Sequence, residues 1–385
     1  MKRLKIGVIG AGFIGKQHIE AIRRVPGTEV VAVADNHADM AREVAEQLAV
    51  PQWYSSSKQL LENAEIDVVH NCTPSACHYP INKEILAAGK HIYCEKPLTL
   101  TAAEAMELEK LAAEAGVMAG VNFNYRHNVM VKEMRERAGS TLGRTLSVYG
   151  EYLQDWLLYD TDYDWRMDPA LGGESRAVAD IGSHCFDTLQ YILGKRIVAV
   201  YAQLINVWPV RKRCESAGGT FSSSVGRVLE ELPISSEDMA YILIRFEDGT
   251  PGLVHVTQVC AGKKNGLAVN ISGSAYSMEW RQEQADRLFL GHRDNPNEEL
   301  YADAKLLTPT AARAAGLPAG HAVAWHDALT NAIASFYQAI NTKQSKSEQA
   351  YADFTDGRYI MQLVEACLES SRTGQWIELV EAECE

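Results

Sequence analysis

The chain has 385 residues, 46% of them hydrophobic and 23% charged, with 50 acidic against 37 basic side chains and a net charge of -13. Its length suits two domains, and its composition is that of an ordinary globular protein. So acidic a chain is a poor partner for nucleic acid or an anionic membrane, which require clustered Lys and Arg, and no apolar stretch approaches the roughly 20 residues of a membrane span.

The opening run Ile6–Ile9 reads as a buried parallel strand leading into Gly10, Gly12 and Gly15, spaced G-x-G-x-x-G at a strand-to-helix junction. Gly10 permits the tight turn, Gly12 lets the backbone approach a pyrophosphate, and Gly15 lets the helix pack closely on the strand. The helix opening at Phe13 and Ile14 then turns its amide hydrogens to the phosphate charge. A second strand, Val30–Ala34, ends at Asp35. That carboxylate suits the ribose hydroxyls and repels an added phosphate, and Asn36 and His37 follow it rather than arginine, so NAD is the expected cofactor. The other reading is a solvated loop aspartate in a nucleotide-free fold.

Short apolar runs at 67–71, 91–94 and 117–121 alternate with helical patterns, notably 101–116, up to about residue 122. The expected fold is α/β, a Rossmann-type doubly wound parallel sheet. Ligands on such sheets bind beyond the carboxyl ends of the strands, so Cys72–Pro74 and Glu95–Pro97 should face the cofactor. Pro97 holds Lys96 extended and aims it into the cleft; the alternative is a solvated surface lysine.

Beyond Asn122 the strands lengthen and alternate, at 146–152, 198–205, 240–246 and 252–259, with Asp248–Gly249 as a hairpin turn. A large, open, mainly antiparallel sheet is expected there, one face left for another layer or another subunit. Residues 209–238, with Ser222–Ser224, read as an exposed loop or ribbon, and helices near 325–341 and 351–373 close the chain. The expected division is 1–122 for dinucleotide binding and 123–385 for substrate binding and oligomerisation.

Within the second region Gly172 and Gly173 lead into a helical run that sets Asp180 and His184 four residues apart, on one face if both are helical. A carboxylate beside an imidazole orients it and raises its basicity, which suits removal of a hydroxyl proton during hydride transfer. Equally, Asp180 reads as a helix cap with His184 packed. The eight cysteines lack C-x-x-C spacing and fit reduced thiols of a cytoplasmic protein. The histidines show no ligand-pair spacing, so no metal is expected.

Together, the glycine-rich opening, Glu95-Lys96-Pro97 and the segment from Gly172 to His184 resemble the Gfo/Idh/MocA family, in order along essentially the whole chain. The resemblance implies a Rossmann domain, then an α/β domain whose open sheet often builds homodimers or homotetramers, and oxidation of sugars and cyclitols. It implies Lys96, Asp180 and His184 as the catalytic set. His184 is then the proton acceptor, Asp180 orients it or binds substrate, and Lys96 holds the reacting hydroxyl and the nicotinamide or is itself the base. Thr73, Pro74, His78 and Glu95 fall with Lys96 on the cofactor side, and Tyr125 and Arg126 border the substrate. Tyr152–Trp156, Asp164–Pro169 and Gly320–Trp325 are similar to the branch of levoglucosan and glycoside 3-dehydrogenases. There Gln154, Arg166 and His321 offer donors and acceptors for several hydroxyls, and Trp156 or Trp165 stacks on a sugar face or packs in the core. Ala322–Ala324 departs from the more polar Pro-Glu-Gly of relatives, which leaves the sugar open. The activity implied is NAD-dependent oxidation of a secondary hydroxyl of a neutral sugar, anhydrosugar, glycoside or cyclitol. The alternatives are redox-neutral, NAD-using glycoside cleavage and a non-catalytic sugar or NAD sensor.

Overall fold

A computed structural model describes residues 3–216, 225–343 and 350–379, so Ser222–Ser224 and Cys384 lie outside the described residues. The chain divides into two compact units, Met1–Asn124 with Ala328–Met361, and Tyr125–Asp327 with Gln362–Glu385. Residues 328–361 therefore fold with the first unit, not with the second as the 1–122 and 123–385 division expects. Sequence periodicity marks these helices but does not say which sheet their apolar faces cover.

The first unit runs β1 (Leu4–Ile9), α1 (Phe13–Arg23), β2 (Thr28–Ala34), α2 (Ala38–Gln47), β3 (Gln52–Tyr54), α3 (Ser57–Leu61), β4 (Val68–Asn71), α4 (Ser75–Ala87), β5 (His91–Cys94), α5 (Ala102–Ala115) and β6 (Ala119–Val121). The six strands are parallel in the order β3-β2-β1-β4-β5-β6. The order reverses at β1 and β4, which opens the ligand crevice above their carboxyl ends. Helix α5 shows why the local sequence folds as read. Thr101 and Glu104 form a reciprocal capping box, and Gly116 ends the helix at φ 64°. The segment 328–361 is tied on by Arg358 Nε and Thr355, which both reach the Glu109 carboxylate.

The second unit contains α6 (Val129–Ala138), β7 (Thr145–Leu153), α7 (Pro169–Gly172), α8 (Ser183–Leu193), β8 (Ile197–Ile205), β9 (Val210–Ser216), β10 (Val225–Pro233), β11 (Met239–Phe246), β12 (Pro251–Thr257), β13 (Gly266–Gly273), β14 (Ser277–Arg281), β15 (Arg287–Gly291), β16 (Glu298–Tyr301) and α9 (Pro309–Ala314). Helices α10 (Trp325–Thr342) and α11 (Phe354–Thr373) follow, then β17 (Ile377–Glu378). Nine strands form one sheet in the order β16-β15-β14-β13-β7-β12-β11-β8-β17, antiparallel except between β7 and β12. The expected hairpin turn joins β11 to β12, with Gly249 at φ 83°. β9 and β10 pair as a separate ribbon within the stretch read as loop or ribbon.

One face of the large sheet lies against α8, and Gly150 in β7 is what lets the helix come close. A Cβ there would stand 2.6 Å from Cys185 Sγ and 3.0 Å from a Leu189 methyl. The other face carries a row of directly paired residues, Tyr201, Leu243, Leu253, Tyr149, Asn270, Glu279 and Phe289, of which Tyr201, Leu243, Tyr149 and Phe289 are exposed. Gly150→Ala is expected to overpack this contact and lower stability by about 1–3 kcal/mol in chemical denaturation. Adding Cys185→Ala should recover most of the loss.

Candidate active site

In the first unit the site begins where β1 meets α1. Gly10 holds φ 100°, and a Cβ on it would stand 2.5 Å from the Cys72 carbonyl oxygen. A Cβ on Gly15 would stand only 1.9 Å from the Gly10 oxygen, whereas Gly12 has nothing within 4 Å of that position. The backbone is thus closed at two glycines and open at the middle one, where a pyrophosphate must approach. Helix α1 starts at Gly12 with no side-chain cap and no acidic residue in its first turn, which suits an anion. Asp35 lies beside this turn, Oδ2 accepting the Ala11 amide at 2.8 Å and Oδ1 the His37 amide at 2.9 Å. Those bonds aim the carboxylate and leave it acceptor capacity for ribose hydroxyls. These residues fit a bound NAD.

At the end of β4, Asn71 Oδ1 accepts the Thr73 hydroxyl at 2.7 Å, and Pro74 opens α4. His78 is buried, its ring nitrogens 2.7 Å from the Pro97 oxygen and 2.8 Å from the Thr73 oxygen. Both nitrogens face backbone carbonyls, so the ring braces the two loops expected on the cofactor side. After β5, Glu95 is buried and Lys96 half-buried, and the Lys96 amide donates to the Glu95 carboxylate, N–H to Oε2 at 3.1 Å. Burial alone would raise the Glu95 pKa. Bonds from His18 and Asn122 and the charge of Lys96 outweigh it and hold the carboxyl down at about 2. Its contribution to stability is thus in place above the ordinary carboxylate range and is lost only as pH falls toward that value.

In the second unit the junction before α8 is a π-turn, Val178–Gly182, in which the Ser183 amide bonds the Val178 oxygen five residues back. Such bulges are frequent at functional sites. Asp180 sits in it and His184 in the first turn of α8. Asp180 Oδ2 accepts Gln258 Nε2 at 2.9 Å, and Arg166 Nε lies 3.5 Å from Oδ1. The Tyr125 ring meets the His184 ring edge-on at 4.8 Å. Its hydroxyl lies 2.8 Å from that of Tyr152 and 3.0 Å from Asn265 Oδ1, which also accepts Tyr152 at 2.5 Å. Burial pushes the Tyr125 phenol up to about 12, against hydrogen bonds from Tyr152, Asn265 and Trp325, so it stays protonated.

Arg166 lies over the Trp165 ring at 4.5 Å and near Trp156 at 5.7 Å, and donates to Asp164 at 3.0 Å. Gln154 accepts Trp156 Nε1 at 3.0 Å. Arg126, expected at the substrate, is instead buried in an ion pair with Asp187, Nε to Oδ2 at 3.0 Å, its guanidinium also against Tyr191. His321 lies on an exposed loop, its Nδ1 3.0 Å from the Pro318 oxygen. Tyr152, Asn265 and Gln258 escaped the sequence reading. Tyr152 and Gln258 lie within or beside strands that alternate like any other, and nothing local distinguishes a site residue from a core one.

These features define an oxidoreductase with an NAD-binding Rossmann domain. Residues 4–123 match the family model described as "Oxidoreductase family, NAD-binding Rossmann fold", and residues 131–279 match that of the "GFO/IDH/MocA C-terminal domain". The chain belongs to the Gfo/Idh/MocA family. It is 28% identical to levoglucosan dehydrogenase of Pseudarthrobacter phenanthrenivorans, over 98% of this chain and 99% of that one. It is 26% identical to myo-inositol 2-dehydrogenase of Thermotoga maritima over 67% of each. A crystal structure of levoglucosan dehydrogenase in complex with NADH and L-sorbose superposes with a TM-score of 0.88 at 26% identity, covering 99% of this chain and 100% of that one.

Gly12→Ala is expected to keep the melting temperature within a few degrees and weaken NAD binding at least tenfold, on the order of a lost charge-assisted contact. Gly15→Ala, by contrast, should destabilise the first unit itself. Asp35→Ala should weaken NAD and narrow its advantage over NADP, measured by titration of nucleotide fluorescence.

Proposed function

We propose that this protein is an NAD-dependent dehydrogenase that oxidises a secondary hydroxyl of a neutral sugar, anhydrosugar, glycoside or cyclitol. The observation that carries the reading is the second unit's ring of polar groups. Gln258 and Arg166 hold Asp180 by a hydrogen bond and an ion pair, the Tyr125 ring meets that of His184, and Trp156 and Trp165 lie beside Arg166. Several fixed donors and acceptors next to indole faces suit a ring bearing several hydroxyls. Full-length likeness to levoglucosan dehydrogenase supports the same class.

When bound, NAD supplies the hydride acceptor. In the proposed site His184 takes the hydroxyl proton, Asp180 orients His184 or the substrate, and Lys96 holds the reacting oxygen; Lys96 as the base is the other assignment. Gln154, Arg166 and Trp165 serve recognition, with Tyr125 lining the imidazole. Arg126 is left out because Asp187 already engages it. Redox-neutral glycoside cleavage is the second reading and differs in releasing no net NADH.

The exposed row across the large sheet is proposed to join copies into a homodimer or homotetramer. Its aromatic and leucine side chains are apolar enough to be buried by association. A cytoplasmic location fits the seven described cysteines, all free. Among the described residues no helix is long and apolar enough to cross a membrane.

The test is NADH formation from NAD across inositols, free sugars, anhydrosugars and glycosides. Turnover with a hydroxyl-rich ring should fall at least about a hundredfold in Lys96→Ala and His184→Ala, while His184→Ala binds NAD normally. Unchanged turnover in both would sink the mechanism. Leu243→Glu should lower the assembled mass seen by light scattering; an unchanged mass removes this face from the interface.

A further inference from the structure

Beneath the cofactor crevice a file of buried polar groups crosses the first unit and has no part in the reading above. Glu95 Oε1 accepts His18 Nε2 at 2.9 Å and Asn122 Nδ2 at 2.5 Å. His18 Nδ1 lies 2.8 Å from His70 Nδ1, and His70 Nε2 lies 2.7 Å from the Tyr337 hydroxyl. Relative exposures are 6% for Glu95, 0% for His18 and His70, and 2% for Tyr337. They come from the loop after β5, α1, β4 and α10, so separate elements bring them into line. Cys72, Cys94, His78 and Lys96 are the other titratable groups that face Glu95, and the Tyr93 ring packs against both imidazoles.

The first bond of the file has a fixed direction. An ionised carboxylate has no proton to give, so His18 Nε2 carries the hydrogen. His18 Nδ1 and His70 Nδ1 share the next hydrogen, and His70 Nε2 and the Tyr337 hydroxyl share the one after it. Burial and the neighbouring His18 push the His70 pKa well below the imidazole range, in keeping with a neutral ring. Every buried donor along this line meets an acceptor, as buried polar groups require. At the far end the same carboxylate, through Oε2, grips the amide of Lys96.

We infer that His18, His70 and Tyr337 are positioning residues. They fix the Glu95 carboxylate, and Glu95 through the Lys96 amide fixes where the Lys96 side chain leaves the backbone. The inference rests on the reading of Lys96 as part of the catalytic set. Misplacement of a reacting group by about 1 Å costs on the order of a hundredfold in rate, without loss of the fold.

The test compares His18→Ala, His18→Gln and Tyr337→Phe in the full-length enzyme, with Lys96→Ala as reference. In His18→Ala, kcat per NAD-binding site should fall about ten- to a hundredfold, with KM and the NAD dissociation constant within about threefold. His18→Gln replaces the donor to Glu95 by an amide N–H and should recover a large part of that loss. Tyr337→Phe removes one oxygen at the remote end and should lower kcat less than His18→Ala does. Equal loss in His18→Ala and His18→Gln, or loss of folded protein with unchanged kcat per site, overturns the positioning role. Should His18→Ala fail to fold, Tyr337→Phe decides, and wild-type kcat in it overturns the inference. Nitrogen-15 spectra of imidazole-labelled protein test the file independently of activity: a proton on His18 Nε2 is expected, and a bare His18 Nε2 overturns its bond to Glu95 and the inference with it. If Lys96→Ala itself keeps wild-type turnover, the catalytic reading fails first, whatever the spectra show.

Discussion

The first unit depends on how closely α1 approaches the turn that precedes it. With room for no Cβ between Gly15 and the Gly10 carbonyl, the helix is pressed onto the end of β1, and its open first turn stands over the crevice at the β1/β4 reversal. His18 lies three residues on, on the same helical face. The approach that builds a seat for phosphate therefore also carries an imidazole under β4 and β5 to Glu95. Cofactor seat and lysine-bearing loop share one mechanical origin.

An analogous economy governs the second unit. Glu237 Oε1 accepts the Ser175 hydroxyl at 2.8 Å and the amides of Arg176 at 3.1 Å and Val178 at 2.9 Å, anchoring the entrance to the π-turn from a remote loop. The adjoining Asp238 pairs with Arg176 and Arg211, all three buried. Arg211 Nη1 in turn holds the carbonyls of Leu157 at 3.1 Å and of Tyr159 and Asp162 at 2.8 Å. Buried ion pairs are weak evidence for net stability, since desolvation opposes the Coulomb gain. Here their effect is positional: one carboxylate pair ties the helix entrance of Asp180 to the loop that presents Trp156 and Arg166.

Most of the first unit was legible because its local signals agree. Glycine spacing, apolar runs and the helical pattern at 101–116 all point to the same elements. β3 was missed because three residues, two of them exposed, make no periodic signal, and β13 to β16 because short strands such as Arg287–Gly291 resemble the loops between them. The allotment of 328–361 was illegible for a different reason, since an amphipathic helix records that it has a buried face and not what buries it. The resemblance supplied Lys96, Asp180 and His184. It also supplied Arg126 and His78, whose polar atoms turn out to be engaged within the protein. Sequence shows that a donor exists; only the fold shows whether another group already holds it.

That distinction also bears on how labour divides between Asp180 and His184. Both Asp180 oxygens face donors, Gln258 on one side and Arg166 on the other, so the carboxylate is set up to accept. A group arranged in this way is poorly suited to cycle a proton with substrate, because protonation would oppose the guanidinium and leave an amide donor facing an O–H. The His184 ring meets the Tyr125 ring edge-on at 4.8 Å and lies 6.2 Å from that of Tyr152, and a free imidazole titrates near working pH. In the proposed mechanism the imidazole is therefore the proton acceptor, while Arg166 links the Asp180 carboxylate to Trp156 and Trp165.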